Sequence, residues 1–269
     1  MIRRFSELYS YRELIRNLVI RDLKVRYKNS ALGILWSFLN PLLMTVVFTV
    51  VFTVMLPTYK IDNYPVFFLC GFLPWGFLSA SLIAGTGSIV DNANLIKKVY
   101  FPREILPISI VLSNLVNFLV ALLVLFIMIF IFRVRVTAAV LMLPLIILAQ
   151  AMLITGLSLI LATANVFYRD TQHILEVVMQ AWFFLTPIFY PISVLGTEKH
   201  VLGLTINVQF WLRRLNPMAS LVASYQDVLY YGVPTGLDFF LRTLATCALI
   251  LLIGYALFCR YSSVFGEEA

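Results

Sequence analysis

Apolar residues run almost unbroken through most of the chain, and short polar clusters divide them into segments of membrane-crossing length. A helix needs about 20 mainly apolar residues to span a bilayer. By that measure the runs form six spans, near 34–56, 64–90, 105–132, 137–165, 173–195 and 239–260. The third, ISIVLSNLVNFLVALLVLFIMIFIF, is the least ambiguous. The fifth carries Pro187 and Pro191. Proline removes a backbone donor and kinks a helix, which is tolerated at membrane depth where protein or water covers the break.

Two segments differ from spans. Leu8, Tyr11, Leu14, Ile15, Leu18 and Val19 recur at helical spacing, with Arg12, Glu13, Arg16 and Arg21 on other faces. That pattern predicts a helix lying in the headgroup region. Residues 196–238 are too polar for a full span, yet hold two short apolar stretches around Asn216 and Pro217. Stretches this short suit re-entrant or interfacial helices. The expected fold is therefore an all-α integral membrane protein with an N-terminal amphipathic helix and a re-entrant hairpin before the last span. With no internal repeat and no low-complexity linker, it reads as one domain: 1–33 as interfacial helix and turn, 34–260 as membrane domain, 261–269 as tail.

Composition agrees with that class. The 269 residues are 61% hydrophobic and 12% charged, against about 25% charged in soluble chains. Thirteen of the 20 Lys and Arg residues fall before the first span, after the second and fourth, or at the end of the sixth. Positive loops stay inside, so both termini are expected in the cytoplasm, with the chain in the cytoplasmic (inner) membrane. This asymmetry accounts for the net charge of +7 without a nucleic-acid partner. The first 28 residues lack a signal-peptide core, and the first span is expected to stay as an anchor. Cys70, Cys247 and Cys259 have neither paired nor metal-ligand spacing.

Several chemistries find little support. There is no G-x-x-x-x-G-K-[ST] loop to cradle nucleotide phosphates. The glycines of LIAGTGSIV sit in an apolar run, where they suit close helix contact. The middles of the spans lack ionisable groups, which argues against ion-coupled transport; Glu176 lies at the start of the fifth, where it could be solvated. The 13 acids are scattered, and His173 and His200 are unpaired, so neither catalysis nor a metal site is expected. A membrane glycosyl- or phosphotransferase is the remaining enzymatic alternative.

The stretch RDLKVRYKNSALGILWSFLNPLL, residues 21–43, resembles the opening of ABC-transporter permeases that export polysaccharides and polyol-phosphate polymers, the O-antigen and teichoic-acid exporter type. FPREILP at 101–107, YRD at 168–170 and LNP at 215–217 match further stretches in the same order. The resemblance implies the transmembrane subunit of an ATP-driven exporter of a lipid-linked glycan or polyol-phosphate polymer; a small-molecule or drug exporter of the same architecture is the alternative. It implies a homodimer with a channel on its axis and two separate cytoplasmic ABC ATPase subunits. ATP and Mg would bind there, with no cofactor on this chain.

The resemblance also assigns candidate sites. NLIKKVYFPREILP resembles the coupling helix that docks on the ATPase, with Tyr100 and Phe101 as anchors, Lys97, Lys98, Arg103 and Glu104 as charged edges, and Pro102 as a helix stop. A positive loop that only fixes topology is the simpler reading of the same residues. The turn holding Arg26, Lys28, Leu32 and Gly33 lies where the lipid-linked substrate would be admitted, and Arg26 and Lys28 could bind a diphosphate headgroup or membrane lipids generally. Trp36, Phe72, Trp75, Trp182, Phe183, Phe184 and Tyr190 are channel-lining candidates, because aromatic faces stack on sugars; they equally suit interfacial belts and cores.

Overall fold

A computed structural model describes residues 10–28, 33–55, 61–99, 101–195, 199–201 and 204–268. Helix α1 (Arg12–Tyr27) ends where Lys28 turns extended. A 3-10 turn, Gly33–Leu35, opens with Gly33 at φ +51° and leads into α2 (Trp36–Thr49), which continues as a π-helical segment, Val50–Met55. Asn63, at φ 51°, sets up α3 (Tyr64–Gly87); asparagine adopts this left-handed conformation more readily than most residues. The short α4 (Ala93–Lys98) precedes α5 (Ile105–Ile131). A 3-10 stretch, Ala138–Met142, leads into α6 (Leu143–Phe167), followed by α7 (Thr171–Phe184). A two-stranded antiparallel hairpin, β1 (Lys199–Val201) and β2 (Leu204–Ile206), pairs His200 with Thr205. Helices α8 (Val208–Leu215), α9 (Pro217–Gln226), α10 (Leu237–Tyr261) and α11 (Phe265–Glu268) complete the chain.

Among the described residues, five segments are long and apolar enough to cross a membrane: Trp36–Met55, Tyr64–Gly87, Ile105–Ile131, Ala138–Phe167 and Leu237–Tyr261. They coincide with five of the six expected spans. The remaining one, 173–195, is not a continuous helix. α7 has 14 residues, about 21 Å at the rise of a helix and short of the roughly 30 Å hydrocarbon core. Beyond it Thr186, Pro187 and Ile188 are buried without helical structure. The break expected from Pro187 and Pro191 is present, and other parts of the chain cover it. Where a re-entrant pair was expected, two short helices, α8 and α9, meet at Asn216. The small β-hairpin before them was not anticipated.

Helix α3 is the centre of the fold. Along its most apolar stretch 72% of positions are buried, against 6% along Trp36–Met55. α3 packs on α5, α6, α7 and α9, and α6 packs extensively on α10. At the α6–α10 crossing two glycines meet: a Cβ on Gly156 would lie 2.7 Å from the Ile250 carbonyl carbon and the Leu251 Cα. Buried polar bonds tie the core together. The Gln150 amide donates to the Pro74 carbonyl at 2.7 Å and accepts from the Tyr225 hydroxyl at 2.7 Å. A second apolar cluster, including Leu18, Ile96, Phe101, Ile105, Phe258 and Phe265, closes the end of the molecule that carries Lys97 and Lys98.

Candidate functional site

Three features gather the residues singled out by sequence. The first is a cavity of about 410 Å³ where α1 meets α2, α3 and α5. Arg26, in the last turn of α1, donates from Nη1 to the Asn114 side-chain oxygen at 2.9 Å. Trp36, Ser37, Asn40, Phe72 and Asn117 line the same space. Asn114 and Asn117 lie three residues apart and so share a face of α5. A guanidinium has five donors in a planar fork that matches phosphate geometry, and the Asn114 bond uses one N–H. Lys28 lies elsewhere: with Arg21 and Lys24 it borders a separate groove along α1 and α5, beside Val116 and Val120. The two cations paired in the sequence reading thus occupy different surroundings. Gly33 supplies the turn between them and α2, and a Cβ on it would have no atom within 4 Å. Leu32 lies outside the described residues.

The second feature is a groove of about 500 Å³ between α3 and α7. Trp75, Ser79 and Ile83, four residues apart on α3, face Glu176, Gln180, Phe183 and Phe184 of α7. Trp75 packs edge-on to Phe183, with centroids 5.6 Å apart, and to Trp182 at 5.9 Å. Trp182 itself belongs to a polar staple. Its indole N–H donates to Asn216 Oδ1 at 2.9 Å, while Asn216 Nδ2 donates to Thr186 Oγ1 at 3.1 Å and to the Leu185 carbonyl at 3.3 Å. The same Oδ1 caps α9 by accepting from the Ala219 N–H at 3.1 Å. The Tyr190 hydroxyl donates to the Phe184 carbonyl at 3.2 Å. The seven aromatic candidates are therefore divided: Trp36 and Phe72 with Arg26; Trp75, Phe183 and Phe184 with Glu176; Trp182 and Tyr190 at the break after α7.

The third feature is the segment around α4. Lys97, Lys98 and Val99 are exposed, Pro102 and Arg103 are half-buried, and Phe101 and Glu104 are each 6% exposed. Tyr100 lies outside the described residues. Phe101 corrects the sequence reading, which had it as an anchor for a partner. Its ring is spent in the chain's own core, alongside Ile96, Phe258 and Phe265. A segment this short must fasten itself to the membrane domain before it can present anything outward, and its apolar side chains serve that purpose. Lys97, Lys98, Phe101, Arg103, Glu104 and Ser262 border a cavity of about 880 Å³ here.

Asn114, Asn117, Gln180 and Phe265 were missed in the sequence. The polar ones carried a visible signal, an amide inside an apolar run, and Phe265 carried none. Among the described residues no group of three His, Cys, Asp or Glu side chains could hold a metal ion.

Residues 13–230 match the ABC-2 type transporter family. The chain is 39% identical over 230 residues to the O-antigen export system permease protein RfbA of Myxococcus xanthus, covering 86% of this chain and 85% of that protein. It is 30% identical over 256 residues to RfbA of Klebsiella pneumoniae, covering 95% and 94%. With the polysialic acid transport protein KpsM of Escherichia coli it shares 23% identity over 249 residues, covering 91% and 92%.

Proposed function

We propose that this chain, which belongs to the ABC-2 type transporter family, is the transmembrane subunit of an ATP-driven polysaccharide exporter. The observation that carries this reading is similarity to O-antigen export permeases along nearly the full length of both chains. On this reading the cargo is a lipid-linked polymer, and the membrane is the cytoplasmic one with both termini inside. Two copies of the chain form the channel. ATP and Mg bind a separate pair of ATPase subunits, which push on α4 and its exposed Lys97 and Lys98. Arg26 in its amide-lined cavity receives the diphosphate of the lipid carrier by charge-assisted hydrogen bonds.

Deletion of this chain in its own cell tests the reading. The expected result is loss of a surface polysaccharide together with accumulation of the same polymer, still lipid-linked, on the inner side. An ATPase-dead partner should reproduce both effects. Unchanged surface polysaccharide in the deletion strain would refute the assignment.

A further inference from the structure

Helix α1 lies against α5, and a groove of about 920 Å³ runs between them. Its two walls differ. Arg21 and Lys24 of α1 lie three residues apart and so share a helix face, and Lys28 extends the same rim. Val116 and Val120 of α5 form the opposite wall, with Ile20 of α1 beside them. Val116 belongs to an exposed apolar stripe with Leu112, Leu119 and Leu123, spaced as one face of a helix. The stripe lies within the membrane-crossing segment Ile105–Ile131. Val116 is about 16 Å along α5 from its start at Ile105, well inside a hydrocarbon core of roughly 30 Å.

The rim is positive without compensation. Arg21 has Asp22 at 3.4 Å, but Lys24 has no ion pair within 4 Å among the described residues. No described acid lines the groove. A cation beside hydrocarbon is costly unless an anion meets it, and long basic side chains reach for headgroups. An isologous contact with a second copy, centred here, would set these cations against themselves. A phospholipid offers what both walls lack. Its phosphodiester brings negative charge and acceptor oxygens, and its acyl chains continue onto the exposed valines and leucines. A zwitterionic headgroup carries the same phosphate but adds a cation that the rim repels.

We infer that the α1–α5 groove is a binding site for an anionic phospholipid of the membrane itself. Arg21 and Lys24 hold the headgroup, and Ile20, Val116 and Val120 seat an acyl chain. The site is separate from the Arg26 cavity, although Asn117 borders both. A lipid seated there joins α1 to a spanning helix beside the Arg26–Asn114 bond. The inference does not depend on which polymer, if any, the chain exports.

The intact permease–ATPase complex in nanodiscs of phosphatidylcholine provides the test. A trace of phosphatidylglycerol with a photoreactive acyl chain should attach within 112–123. Phosphatidylcholine carrying the same group should attach there severalfold less. Lys24→Glu should lower phosphatidylglycerol attachment about tenfold and leave phosphatidylcholine attachment unchanged. Arg16→Glu makes the same change of charge on the same helix, outside the groove, and should leave both lipids near native levels. Equal attachment of the two lipids, or equal losses in the two variants, would make the groove ordinary lipid-facing surface and overturn the inference. Displacement of phosphatidylglycerol by a long-chain polyprenyl diphosphate at lower concentration than by unlabelled phosphatidylglycerol would make it a carrier-lipid site and overturn the inference equally. None of these measurements uses transport, so failure of the export reading would leave them unchanged.

Discussion

At the scale of single residues, two side chains repay mutation. Arg26 and Lys28 look equivalent in sequence, but only Arg26 reaches Asn114, 88 positions away. Replacing Arg26 with alanine removes charge-assisted donors from a partly enclosed cavity, so export per inserted permease should fall about tenfold or more. Lys28→Ala acts at an exposed position and should stay within about twofold; surface polymer normalised to membrane-inserted protein measures both. Equal losses would mean that charge near the membrane matters and the cavity does not. Asn216 is the other case. Asn216→Ala leaves the Trp182 indole and the Ala219 N–H without their acceptor, at about 1–3 kcal/mol per buried group. The melting temperature in detergent should drop by several degrees, roughly as expected for a loss of that size. Asn216→Asp keeps the acceptor and loses the amide donors to Thr186 and the Leu185 carbonyl, so it should fall between. The charges and the amides were legible as residue types. Their pairing was not, because it depends on helices that approach only in the folded chain.

At the scale of elements, the apolar runs located five full-length spans, since length and hydropathy set them directly. The break within 173–195 has a local cause. The run is mainly apolar, but the helix stops at Phe184, two residues before the Thr186–Pro187 pair, and the proline disfavours a helical conformation in the residue before it. Glycine gives a similar contrast. The LIAGTGSIV cluster suggested close contact, and Gly85 provides it: a Cβ there would come within 2.8 Å of Ser158 Oγ. The tighter crossing uses Gly156 and Gly254, which are isolated in sequence and carry no pattern. A Cβ on Gly254 would overlap the Gly156 carbonyl oxygen. Because the obstacle is backbone, the two helices themselves must part. Gly254→Val should cost about 1–3 kcal/mol or more, seen as lower detergent stability and yield. Gly76→Ala, with nothing within 4 Å of the new Cβ, should be neutral or slightly stabilising, in keeping with the better helix propensity of alanine. Similar stability in the two variants would show that the α6–α10 crossing relaxes easily.

At the scale of the whole molecule, the end bearing α4 is assembled from distant parts of the chain. Leu18 of α1, Ile96 of α4, Phe101, Phe258 of α10 and Phe265 of α11 share one buried cluster. Sequence showed the outward half of this arrangement, the basic residues Lys97 and Lys98. It concealed the inward half, because the segment after residue 261 reads as a polar tail and a lone phenylalanine has no periodicity. Phe265 is fully buried and meets Phe258 edge-on, with centroids 5.0 Å apart. Through it α11 joins α4 to α6. If α4 transmits force from an ATPase, these two halves do different work. On that reading Lys97 and Lys98 would hold the partner, and Phe265 would support α4 from beneath. Charge removal by Lys97→Ala with Lys98→Ala should reduce co-purification with the ATPase and leave thermal stability unchanged, because both side chains are exposed. Phe265→Ala opens a cavity under α4 worth about 3–5 kcal/mol if the site does not collapse. The complex should still co-purify, but polymer exported per ATP hydrolysed should fall severalfold, since motion of α4 is absorbed in the gap. Phe265→Leu, which refills most of the space, should restore that ratio. An unchanged ratio in Phe265→Ala, at equal amounts of inserted protein, would leave α11 a stabilising clasp with no part in coupling.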